Sequence, residues 1–141
     1  MSDLPLTGGC NCGAVRYEVT APLVAASYCH CKRCQRRSGA AASPNAHPAP
    51  GGFRIVAGED VLRVWQPPDG GEKWFCGSCG SSLFGRNVSH PDSIGIRMGT
   101  FDEDPGSVPA SVSLLPTPQH GSRSPTTSCP ATTKVVTDEL P

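Results

Sequence analysis

Apolar and polar residues alternate along this chain in short runs, and no stretch sustains a helical period. In "AVRYEVT" (14–20), Val15, Tyr17 and Val19 fall on one face of an extended segment, which predicts a strand with one buried side. "LVAASYCH" (23–30) predicts a second strand that runs into a cysteine-rich stretch. "GFRIVAGEDVLRVWQ" (52–66) reads as two β-rich runs around Gly58-Glu59-Asp60, a hairpin signal. Pro67 to Gly71 makes a wide turn. "EKWFC" and "SSLFG" then flank Cys76-Gly77-Ser78-Cys79-Gly80 as strand, metal knuckle and strand, and "SIGIRMG" (93–99) adds a further short strand. Only "CKRCQRRSGAAAS" suits a helical turn or two. These elements predict an all-β domain.

The pattern ends near residue 110. "SVSLLPTPQHGSRSPTTSCPATT" (111–133) is mostly Ser, Thr and Pro, with no period of 2 or 3.6. Such a segment buries too little apolar area to offset its ordering entropy, so residues 5–110 are expected to form the domain and 111–141 an irregular tail.

Composition sharpens this picture. The chain has 141 residues, 37% of them hydrophobic and only 6% aromatic, so the core is thin; 16 Gly and 15 Pro favour turns and short strands. Lys plus Arg equals Asp plus Glu at 12 each, which leaves no global field to draw nucleic acid or an anionic membrane. "MSDLPLTGG" lacks the features of a signal peptide, and no apolar run approaches the roughly 20 residues of a membrane span. The expected setting is the cytosol.

There, eight cysteines point to metal binding before a disulfide framework. Seven fall into three tight groups: Cys10 and Cys12; Cys29, Cys31 and Cys34; Cys76 and Cys79. Cys129 stands alone. In an extended strand Cys10 and Cys12 point the same way with α-carbons roughly 6.5 Å apart, and Zn–S bonds of about 2.3 Å let both reach one ion. Joined to Cys76 and Cys79, they would close a four-thiolate zinc site. Cys29, Cys31 and Cys34 would then form a second site with a vacant fourth position, the mark of catalytic zinc. A rival partition pairs Cys31 and Cys34 with Cys76 and Cys79 as a zinc ribbon, leaving Cys10, Cys12 and Cys29 over.

Between Cys29 and Cys31, alternation sends the His30 ring the opposite way and makes it a flanking residue, with ligation the other possibility. His47, His90 and His120 lie beside Pro or Gly and read as surface residues. Lys32, Arg33, Arg36 and Arg37 surround the three-cysteine group. They suit charge balance for bound thiolates or reception of an anionic substrate better than a nucleic-acid patch, because no row of aromatics accompanies them.

With these groups in place, "GGCNCGAVRYEV", "CHCKRCQRRSGA" and "WFCGSCGSSLF", in that order, make the chain resemble the glutathione-dependent formaldehyde-activating enzymes, a family that includes centromere protein V. The resemblance covers roughly residues 6–110. It implies a β-tent fold of small sheets knitted by two zinc ions per chain. Cys10, Cys12, Cys76 and Cys79 match the structural zinc ligands, and Cys29, Cys31 and Cys34 the catalytic ones. It further implies a zinc-dependent carbon–sulfur lyase acting on a glutathione–aldehyde adduct of the S-hydroxymethylglutathione type. Glutathione would be the co-substrate, its carboxylates meeting Arg33, Arg36 or Arg37. The alternative is a non-catalytic zinc module for a protein or nucleic-acid partner. The resemblance stops near residue 110 and resumes at "TDELP" (137–141), as a shifted reading of the coding sequence over 111 to about 134 would produce.

Overall fold

The computed structural model describes residues 3–106 and 112–114. Its strands are β1 (Leu6–Gly9), β2 (Arg16–Val19), β3 (Leu23–Cys29), β4 (Ser43–Pro48), β5 (Phe53–Ala57), β6 (Leu62–Trp65), β7 (Glu72–Cys76), β8 (Ser82–Arg86), β9 (Ile94–Arg97) and β10 (Val112–Leu114). One short helix, α1 (Lys32–Ser38), interrupts them. The all-β expectation holds.

Two sheets result, a three-stranded one in the order β1-β2-β5 and a seven-stranded one in the order β10-β3-β4-β9-β8-β7-β6. The alternation in β2 does what its pattern predicts, since Val15, Tyr17 and Val19 are all buried. They face Leu83, Phe84, Ile94 and Ile96 of the larger sheet within one core. An aromatic seam runs between the sheets: Tyr17 and Phe53 at 5.3 Å, Phe53 and Phe84 at 4.7 Å, then Phe84 stacked on Trp74 at 5.7 Å.

Three features differ from or add to the expectations. The runs in 52–66 are strands but not a hairpin, for β5 pairs antiparallel with β2 and β6 with β7. Gly58, at φ 76°, leads into a 3₁₀ turn over Glu59–Val61 that carries the chain from one sheet to the other. No larger residue fits there, because a Cβ would lie 2.0 Å from the Ala14 carbonyl oxygen. β4 is an additional strand, and it contains Pro44 and Pro48, a residue type that strand interiors disfavour. β9 pairs with β4 at Asn45 and Ala46, so both prolines lie outside the stretch bonded on two sides. Finally, Val112–Leu114 pairs parallel with Ala26–Tyr28 of β3, inside the stretch expected to be irregular. The expectations for Cys129, the shifted reading and "TDELP" fall outside the described residues.

Among the described residues no helix is long and apolar enough to cross a membrane.

Candidate metal centres and their surroundings

The four-cysteine group forms where the two sheets meet. Cys10 follows β1, and the Gly13 amide donates to the Cys10 carbonyl at 3.1 Å, so Cys10 and Cys12 sit in a turn and not in the extended strand predicted. The turn still brings their sulfurs to 3.5 Å. Cys76 ends β7, and the knuckle is closed by the Gly80 amide donating to the Cys76 carbonyl at 2.8 Å. Gly80 takes φ 79°, which favours glycine.

The sulfurs of Cys12 and Cys76 lie 3.8 Å apart, and the ligand atoms of all four cysteines lie within 4.8 Å of one another. Zn–S bonds of about 2.3 Å at tetrahedral angles place sulfurs about 3.8 Å apart, so this donor set fits a four-thiolate zinc. Local polar groups favour thiolate at Cys10 and Cys79. The Val15 amide donates to the Cys10 sulfur at 3.2 Å. The Cys79 thiol is held down to about 5 by the Ser81 hydroxyl, then by the amides of Ser81 and Cys12.

The three-cysteine group sits at the junction of β3 and α1. Cys29 ends the strand, Cys31 caps the helix with its sulfur accepting from the Cys34 amide at 3.4 Å, and Cys34 lies in the first turn. Their sulfurs also lie within 4.8 Å of one another. The Cys34 side chain brings the Cys31 thiol down to about 6 against the effect of burial, helped by the amides of Cys34 and Arg33 and the Lys73 ammonium. The same pairing and burial push Cys34 up.

The sulfurs therefore group as four and three, and the ribbon pairing does not occur. His30 lies outside both groups; its Nε2 is buried with no hydrogen-bond partner among the described residues.

The four cations of "CKRCQRR" diverge. Lys32 reaches Gln35 at 3.3 Å, Arg33 pairs with Asp69 at 2.5 Å, and Arg36 is exposed. Arg37 turns inward, donating to the Ser82 hydroxyl at 3.0 Å with its guanidinium 5.5 Å from the Phe75 ring centre.

Two further cations went unnoticed in the sequence. Arg97 donates through Nε to the Ser82 hydroxyl at 3.4 Å and through Nη1 to Asn45 Oδ1. Lys73 on β7 is half-buried, and its charge acts on both Cys31 and Cys34. Burial pulls the pKa of each down, with Cys34 opposing it. The four ion pairs among the described residues engage Arg16, Arg33, Arg54 and Arg86. None engages Arg37, Lys73 or Arg97. Alternation could have placed Lys73 and Arg97 off the core face, but not beside the cysteines.

His47 also departs from its surface assignment. It lies half-buried in β4, with Nδ1 3.1 Å from the Ile94 carbonyl and Nε2 3.3 Å from the Ser27 hydroxyl. Nδ1 therefore donates and Nε2 accepts. Burial lowers its pKa, which keeps the imidazole neutral.

A family model described as glutathione-dependent formaldehyde-activating enzyme matches residues 5–114. A Halomonas elongata protein provisionally named as a glutathione-dependent formaldehyde-activating enzyme is 28% identical over 116 residues, covering 78% of this chain and 74% of its own. A Sordaria macrospora protein with the same provisional name is 28% identical over 95 residues, covering 62% of this chain and 40% of its own. A crystal structure of a Rhodobacter sphaeroides protein superposes with a TM-score of 0.57 at 28% identity, covering 68% of this chain and 87% of that one.

Proposed function

Because the chain belongs to the family of glutathione-dependent formaldehyde-activating enzymes, we propose that it binds a thiol at the three-cysteine centre and makes or breaks the carbon–sulfur bond of a glutathione–aldehyde adduct. The carrying observation is the arrangement of Cys29, Cys31 and Cys34, three sulfurs within 4.8 Å of one another and so close enough for one ion.

In this reading Cys10, Cys12, Cys76 and Cys79 hold a structural zinc that joins the sheets. A second zinc held by Cys29, Cys31 and Cys34 would supply an open position at which an incoming thiol gives up its proton near neutral pH. The protein's own side chains do the rest. Arg37, Lys73 and Arg97 offset the accumulated sulfur charge, and the sheet orients the ligand. In the forward direction the sulfur lone pair forms a bond to the aldehyde carbon, and the carbonyl oxygen takes up the proton the thiol released. In reverse the carbon–sulfur bond breaks and the proton returns, so the class is carbon–sulfur lyase. A reducing, cytosolic setting belongs to the same proposal, since the ligand thiolates must stay reduced.

Exchange spectroscopy of glutathione and formaldehyde measures the test. The protein with both centres filled should speed adduct formation and breakdown above the uncatalysed rate, and Cys31→Ser should abolish that increment while leaving the fold intact. Thiol binding without acceleration would replace this reading with that of a non-catalytic zinc module.

A further inference from the structure

Strand register explains how Lys73 and Arg97 come to lie beside the cysteines. Lys73 pairs with Gly85, and Gly85 with Gly95. Two residues along β9 is Arg97, which pairs with Asn45 of β4. Two residues along β4 is Ser43, which pairs with Cys29. Paired residues and residues two apart share a face. Lys73, Gly85, Gly95, Arg97, Asn45, Ser43 and Cys29 therefore lie on one side of the seven-stranded sheet. Trp74, Phe84, Ile96 and Ala46 occupy the other, where the last three are buried and Trp74 packs against the same core.

The two paired glycines leave that face without side chains between Lys73 and His47. A Cβ on Gly85 would sit 3.7 Å from Lys73 Nζ and 3.3 Å from the Glu72 carbonyl oxygen, and one on Gly95 would sit 3.2 Å from His47 Cε1. A larger residue at either position would crowd these neighbours. Above the same face α1 contributes Arg37, which meets Arg97 at the Ser82 hydroxyl.

We propose that Lys73, Arg97 and Arg37 form a carboxylate-binding wall beside the three-cysteine centre, and that Gly85 and Gly95 form the floor on which the ligand's carbon chain lies. The proposal rests on the thiol-binding reading above and adds to it the side chains that would meet a carboxylate of the bound thiol.

Charge counting supports it. Three thiolates on a divalent ion carry one net negative charge, and three cations turn that into two positive. An incoming thiolate removes one of these and a single carboxylate the other. Half-buried cations without an acidic partner among the described residues are costly unless a ligand completes them. The groove between the sheets, lined by Phe53, Arg54, Trp74, Phe84 and Arg86 among others, differs in this respect. Its arginines are already paired, Arg54 with Glu18 and Arg86 with Glu72.

The test compares 3-mercaptopropionate with 2-mercaptoethanol as ligands of the cobalt-substituted full chain, read from the cobalt absorption bands. The carboxylate thiol should bind at least about tenfold more tightly, the worth of a charge-assisted hydrogen bond. In Lys73→Met and Arg97→Met, 3-mercaptopropionate affinity should fall several-fold more than 2-mercaptoethanol affinity, so that the preference shrinks toward parity. Should Arg97→Met fail to fold, Lys73→Met decides, because it removes a charge and keeps the apolar stem. Parity in the parent, or an undiminished preference in Lys73→Met, overturns the carboxylate wall and leaves the thiol-binding reading standing. If neither thiol moves the cobalt bands, both readings fall together.

Discussion

The sulfurs of Cys12 and Cys76 lie 3.8 Å apart, although Cys12 follows the first strand of the three-stranded sheet and Cys76 ends a strand of the seven-stranded one. An ion shared by this pair would crosslink the two sheets across 64 residues of sequence. Cys29, Cys31 and Cys34 instead lie within six residues of one another at the β3–α1 junction.

The two centres should therefore respond differently to loss of a ligand. Cys79→Ser should prevent folding, because structural zinc contributes folding free energy directly. Cys31→Ser should leave a folded protein lacking one zinc and any thiol-dependent activity. Circular dichroism with metal analysis on each variant measures this. Equal unfolding in both would erase the distinction.

Metal content follows from the same grouping. Fully loaded protein should carry two zinc ions per chain, and thiol titration in denaturant before and after chelation should show both sets of sulfurs released. A plateau at one zinc per chain would contradict a second site.

Tyr17 provides a pH prediction. Burial pushes its phenol up to about 12, while the hydrogen bond with Thr100, 2.8 Å away, acts in the opposite sense. The folded value lies above the unfolded one of about 10, so folding favours the neutral phenol. That contribution is complete below pH ~10 and is lost as pH rises through the folded value. In a Tyr28→Phe background, phenolate absorbance should appear only well above pH ~10, together with loss of the β-sheet signal. Reversible ionisation near pH ~10 with the sheets intact would show that Tyr17 is not sealed in the core.

The aromatic seam should dominate the packing energy between the sheets. Phe84 is 5% exposed and touches both Phe53 and Trp74. Phe84→Ala should cost about 3–5 kcal/mol in urea denaturation. A loss below about 1 kcal/mol would mean that the metal centre alone holds the sheets together.

Properties encoded within a few residues were decided by the sequence alone. Alternation in 14–20 buries Val15, Tyr17 and Val19 because neighbouring side chains on a strand point to opposite faces whatever lies across from them. Cys-x-Cys and Cys-x-x-Cys spacings bring sulfurs together through local backbone geometry, so a turn at Cys10–Cys12 serves as well as a strand. The all-β class and the short helix at α1 were legible for the same reason. Partnership between distant segments was left to the tertiary structure. β5 and β6 separate into different sheets because Gly58 and the packing of β2 outweigh the local hairpin signal. Lys73, Arg97 and His47 acquire their surroundings through the register of β4, β7, β8 and β9. That register follows from which faces bury Phe84 and Ile96, a sum over contacts that no local window contains.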